Sequence, residues 1–264
     1  MNLPRWVLAS AAMFWLLAAT VGVSHTASDC AAPQEMIHFK ANLPNTVRAI
    51  RSGKNLVIVA LGSSSTQGVG ASDSTHTYPA LLAEDLRRRW PQLPITVINK
   101  GVGGEMAFQM LARFERDVLP YHPQLVIWQT GSNQVLRSMD IDGYASAVRE
   151  GISRLKAAQI DVVLMDPQFA PRVIARPMHL LVVDVIDALA NEMKVPVFRR
   201  FAVMRQWISS GEYKMDDIIS SDGLHMNDVS YSCIAHLLAG SLGATVGPET
   251  HARRQSEHAR AASR

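Results

Sequence analysis

The chain is short of several things, and each scarcity narrows what it does. Its formal net charge is only +3, and basic residues concentrate at the end, in Arg253, Arg254, Arg260 and Arg264. The body is therefore close to neutral, without the basic stripe and interleaved aromatics of a nucleic-acid binder. No second His or Cys stands at ligand spacing from His225, which weighs against a metal centre. Gly101-Val102-Gly103-Gly104 does not match G-x-G-x-x-G and follows the second strand rather than the first, so dinucleotide binding is disfavoured. No internal repeat is visible. Beyond residue 23 no apolar run is long enough to span a membrane, so the remainder reads as soluble. The only cysteines are Cys30 and Cys233; in an oxidising compartment they either bridge or stay as two thiols, and spacing does not decide between these.

What is present is apolar content of 48% against 19% charged residues, enough for one sizeable core in 264 residues. Residues 1–27 read as a secretory signal or an uncleaved N-terminal anchor. A short basic start precedes the uncharged run Trp6 to Val23, and small polar residues then offer cleavage after Ala27. Residues 28–54 form a lead-in with a short helix near Asn45 to Arg51, 55–244 the main domain, and 245–264 a disordered polar tail. Export to a periplasm or to the outside is the expected destination.

Within the main domain, strand and helix alternate five times. Buried strands are expected at 55–61, 95–99, 125–129, 161–165 and 195–198. Helices are expected near 78–90, 105–118, 142–158, 178–193, 200–210 and 228–242. This is the pattern of a three-layer α/β/α sandwich with a mainly parallel sheet. In such folds sites gather at the carboxyl edge of the strands, and four polar stretches fall there. Gly62-Ser63-Ser64-Ser65-Thr66 follows the first strand and sets hydroxyls at a helix start, among free N–H groups; a plain helix cap has the same composition. The Gly101–Gly104 run lets backbone approach a ligand closely. Thr130-Gly131-Ser132-Asn133-Gln134 follows the third strand and reads either as an amide-bearing edge or as an ordinary turn. In Asp222-Gly223-Leu224-His225 one tight turn brings a carboxylate to an imidazole nitrogen and leaves the other free, as serine activation needs. A loop at 166–177 with Pro167, Pro171 and Pro177 is a candidate substrate wall. The arginine run 87–89 reads as a solvated helix end.

Together, in this order, the four stretches resemble the SGNH hydrolase superfamily, also called GDSL esterases and lipases, over about residues 55–240. The resemblance implies a flavodoxin-like fold and assigns roles by position. Ser64, in Gly62-Ser63-Ser64, would be the nucleophile. Gly104, closing the block from Asn99, and Asn133, in Gly131-Ser132-Asn133-Gln134, would join the Ser64 N–H as oxyanion donors. His225 would be the base and Asp222 its orienting acid. Two positions depart from the family pattern: Ser63 replaces an acid before the nucleophile, and Gln134 replaces an acid after the asparagine. The G-x-S-x-G elbow of α/β-hydrolases is absent, since Thr66 stands in place of the second glycine.

The expected function is a secreted or periplasmic serine esterase working through an acyl-enzyme. Short O-acetyl groups on a glycan are favoured and longer lysophospholipid esters are the nearest rival. O-acyl transfer at the same site and a non-catalytic glycan-binding envelope protein are the other readings. No metal or organic cofactor is expected. The partner is a small-molecule or glycan ester, with no nucleic acid and no stable membrane partner after signal cleavage.

Overall fold

The structure, a computed structural model, describes residues 30–138 and 140–247. The expected signal or anchor and most of the expected tail lie outside the described residues.

Five strands, β1 (Leu56–Gly62), β2 (Ile95–Gly101), β3 (Leu125–Gln129), β4 (Asp161–Met165) and β5 (Val197–Phe198), form one sheet in the order β2-β1-β3-β4-β5. Every pairing is parallel; Ile58, for example, faces Val97 on one side and Leu125 on the other. Parallel strands need helical crossovers on both faces, which explains the continuous apolar runs of β1, β3 and β4. The helices are α1 (Gln34–Ile37), α2 (Pro44–Ser52), α3 (Ser64–Gln67), α4 (Tyr78–Arg89), α5 (Ala107–Ala112), α6 (Phe114–Asp117) and α7 (Ser132–Arg137). They continue with α8 (Ile141–Ala157), α9 (Pro171–Ile174), α10 (His179–Met193), α11 (Arg200–Ser209), α12 (Met215–Ile218) and α13 (Asp228–Val246). The final helix packs against α4 and α2, while α8 packs against α5 and α10. This is the expected α/β/α arrangement. Close packing on the sheet depends on Gly151 of α8, where a methyl group would come within 2.4 Å of the Trp128 ring.

Several boundaries differ from the sequence reading, each for a physical reason. The helix expected over 105–118 is broken between α5 and α6. There the buried Arg113 guanidinium reaches the carbonyls of Gly62 and Lys100 at 3.3 and 2.8 Å and the Glu105 carboxylate at 2.7 Å. The polar stretch after β3 is not only a turn: Gly131, at φ 95°, reverses the chain and α7 begins at once. Pro196 has no N–H to give, and β5 starts after it, at Val197. The arginine run is more than a solvated end, because Arg87 also bonds the Ile95 carbonyl at 3.1 Å. The last helix continues through Thr245 and Val246, into the stretch expected as tail. By length and composition α13 could cross a membrane, but here Tyr231, Ile234, Leu238 and Leu242 are buried inside the protein.

The lead-in is tied firmly to the sheet. Asp161, at the start of β4, accepts the Thr46 N–H at 2.7 Å and the Asn45 amide at 3.0 Å, capping α2 from across the core. Cys30 and Cys233 form a disulfide, which settles the question of the two thiols. Next to it the Trp207 indole N–H donates to the Ala31 carbonyl at 2.7 Å.

Candidate active site

In the strand order β2-β1-β3 the chain turns to opposite sides of β1, which opens a crevice at the carboxyl ends of β1 and β3. The β1 strand ends at Gly62, where a methyl would lie 2.1 Å from Thr66 Oγ1, so only glycine lets α3 fold back this tightly. The three serines that follow have separate fates. Ser63 is buried, and its N–H and hydroxyl both donate to Gln129 Oε1, at 2.9 and 3.0 Å. Ser65 is buried and its hydroxyl donates to Gln168 Oε1 at 3.3 Å. Ser64 lies between them, half-buried, with Oγ 2.8 Å from His225 Nε2.

His225 Nδ1 bonds Asp222 Oδ2. The other carboxylate oxygen, Oδ1, accepts from Leu224 N–H, His225 N–H and the Ser220 hydroxyl at 2.8, 2.9 and 2.8 Å. Partial burial pushes the Asp222 carboxyl up, but these hydrogen bonds outweigh it and hold the group well below the usual carboxylate range. The acid is thus fixed as an anion. Its turn is closed by Ser220 N–H to His225 O at 2.8 Å, and by a bridge between Ile219 and Met226. On the far side Gly70 presses against it; a methyl there would be 2.2 Å from Met226 O.

The glycine run wraps the start of α3. A methyl on Gly101 would sit 2.0 Å from Gln67 N, and Val102 N–H donates to Gly62 O at 3.0 Å. Asn99 Oδ1 holds the Gly101 N–H at 2.9 Å. Gly104 is at φ 79°, a conformation natural to glycine. Asn133, at the start of α7, donates through Nδ2 to Glu105 O at 2.9 Å, and so stands beside this run with one amide hydrogen left over. Among the described residues, neither the Ser64 N–H nor the Gly104 N–H is used by another protein group. All five residues singled out from sequence therefore meet at one edge of the sheet. Two cavities of about 590 and 620 Å³ lie elsewhere, around Asn45, Gln159 and Ile160 at the opposite end of the strands.

Sequence reasoning missed the polar layer underneath. Gln129 ends β3 and gathers Ser63 and Thr66; Thr66 Oγ1 in turn meets the Tyr78 hydroxyl at 3.2 Å. From sequence, Gln168 is only one residue of the 166–177 loop wall. It is buried and joins Ser65, Ser132 at 2.9 Å, the Leu224 carbonyl at 3.0 Å and Arg200 at 3.1 Å. Arg200, wholly buried, also donates to the Asp166 carbonyl at 2.8 Å. The one available signal was an arginine within the apolar stretch that becomes α11.

Comparison with known proteins identifies the family. The profile of the Non-GDSL lipase-like family matches residues 29–247. An acetylxylan esterase of Geobacillus stearothermophilus is 28% identical over 45% of this chain and 61% of its own length. A thioesterase 1/protease 1/lysophospholipase L1 of Escherichia coli (strain K12) is 26% identical over 70% of this chain and 82% of its own. Among solved structures, a two-domain esterase active on acetylated mannans, crystallised with mannopentaose, superposes with a TM-score of 0.70. It has 20% identity and covers 82% of this chain, which in turn spans 58% of that protein. The chain belongs to the Non-GDSL lipase-like family, within the SGNH/GDSL superfamily of ester hydrolases.

Proposed function

We propose that this protein is an exported serine esterase that removes short acyl groups, O-acetyl above all, from a glycan. The observation that carries the reading is the continuous hydrogen-bonded line from Ser64 through His225 to the ionised Asp222. In this mechanism His225 Nε2 takes the Ser64 proton as Oγ attacks the ester carbonyl. Asp222 keeps Nδ1 protonated and stabilises the imidazolium that forms. The oxyanion is received by the free N–H groups of Ser64 and Gly104 and the remaining Asn133 amide hydrogen. His225 then protonates the leaving alcohol, and a water attacks the acyl-enzyme with His225 again as base. Ser63 and Gln134 stand where the superfamily has acids, and neither position takes part in these steps.

Acetyl-glycan substrates are named for the acetylxylan and mannan esterases among the similar proteins. Export is supported by the Cys30–Cys233 bridge, since such bonds persist in oxidising compartments. The test is hydrolysis of p-nitrophenyl esters from acetate to palmitate by the native protein and its Ser64→Ala variant. Activity should fall with acyl length and drop by at least about 1,000-fold in the variant. A preference for long chains would move the reading towards lysophospholipids, and an active Ser64→Ala would refute the mechanism.

A further inference from the structure

Two guanidinium groups flank the site, and the proposed reaction uses neither. Arg137 ends α7 four residues after Asn133, so both side chains lie on one helix face. A methyl built on Gly104 would be 3.3 Å from Arg137 Nη2, which places this cation against the glycine assigned to the oxyanion. Two acids nearby are engaged elsewhere, Glu105 beside Gly104 and Asp140 just after α7. Glu105 is held by Arg113 at 2.7 Å, and the Asp140 carboxylate caps α8 through the Asp142 and Gly143 N–H groups, both at 3.0 Å.

Arg172 approaches from α9, which packs against α7. Its N–H donates to Gly223 O at 3.0 Å, and its Cγ and Cδ come within 3.8 and 4.0 Å of the space a Gly223 methyl would fill. Its stem therefore covers the turn that carries Asp222 and His225. Both arginines are exposed, and neither pairs with a carboxylate among the described residues. Of the other surface arginines, Arg149 meets Glu192 at 2.8 Å and Arg154 meets Glu115 at 2.6 Å, while Arg176 and Arg205 also lack an acid among the described residues; what sets Arg137 and Arg172 apart is their place beside the site.

We infer that Arg137 and Arg172 form an anion-binding rim that selects esters carried on an acidic glycan, with a sugar carboxylate beside the scissile acyl group. A guanidinium offers paired donors that match a carboxylate, and pairing there costs no protein ion pair because none exists. The inference rests on the esterase reading and names the substrate class for that site.

The test compares an O-acetylated uronic-acid disaccharide as its free carboxylate and as its neutral carboxamide, with acetate release as readout and p-nitrophenyl acetate as reference. Wild-type kcat/KM should favour the carboxylate form by roughly tenfold at low salt, mostly through KM, and high salt should erase the preference. The ratio should approach one in the Arg137→Gln/Arg172→Gln double variant and be intermediate in Arg137→Lys, which keeps charge without the fork. Because the readout is a ratio within each variant, any general loss from disturbing Gly104 cancels. Equal wild-type rates on the two sugars, or a preference that survives in the double variant, would overturn the rim while p-nitrophenyl acetate is still cleaved. Wild-type inactivity on p-nitrophenyl acetate overturns the esterase reading, and the rim with it.

Discussion

Adjacent residues of one type can have opposite fates when the backbone turns sharply between them. Ser63 and Ser65 point into the polar layer below, and Ser64 alone meets an imidazole. Carboxylates show the same dependence on setting. Asp222, surrounded by donors, stays ionised far into the acid range. Asp166 is buried, and that burial, only partly offset by the Phe201 N–H and the Arg200 charge, pushes it up to about 7. The sign of its effect on stability follows. An unfolded Asp loses its proton near ~4, whereas the folded one keeps it to near 7, so in between the folded state holds more protons and stability falls as pH rises. Above the folded value the loss is complete and the curve is flat. Asp166→Asn, whose side-chain carbonyl can still accept from Phe201, should shrink the drop in Tm between about pH 5 and about pH 8. An unchanged drop in the melting curves would show that Asp166 does not contribute it.

At the level of elements, the site depends on the alignment of short helices and turns rather than on any long one. The nucleophile sits on α3, a single turn; the Asn133 helix is hardly longer; and the base hangs from a loop. Gln168 joins all three from below, through Ser65, Ser132 and Leu224 O. Replacing it by Met removes those bonds at similar volume. We expect kcat to fall by about tenfold or more with KM little changed, because small misplacement of reacting groups is costly while the substrate surface is untouched. Stopped-flow or steady-state kinetics on p-nitrophenyl acetate, corrected for folded fraction by circular dichroism, checks this. Unaltered kcat per folded molecule would make Gln168 purely a stability element.

Over the whole molecule, the bond between Cys30 and Cys233 spans 203 positions and ties the start of the described chain to α13. It restrains the unfolded chain across nearly the whole domain. Removing such a cross-link costs roughly 2–5 kcal/mol. The Cys30→Ser/Cys233→Ser double variant, and the native protein in reductant, should therefore share a markedly lower Tm. Esterase activity at low temperature should persist, since neither cysteine takes part in the hydrogen-bonded line from Ser64 through His225 to Asp222. A melting curve insensitive to reductant would count against the bridge.

Much of this protein was legible in one dimension. Buried parallel strands carry long apolar runs, so β1, β3 and β4 could be placed from composition alone. Because the strands are parallel, the loops at their carboxyl ends share one edge. That is why Ser64, Gly104 and Asn133, each placed after a strand, could be grouped without coordinates, whereas Asp222 and His225, on a turn between α12 and α13, joined them through the family resemblance. Three-dimensional packing decided what remained: which of three serines faces His225, whether two cysteines reach each other, and where Arg113 breaks a helix. It also decided that Gln168 and Arg200 are core residues. A buried polar side chain is admitted only where partners from distant segments satisfy it, and no local pattern encodes where those partners will be. The same holds for Arg137 and Arg172, whose freedom from acids follows from what surrounds them in space.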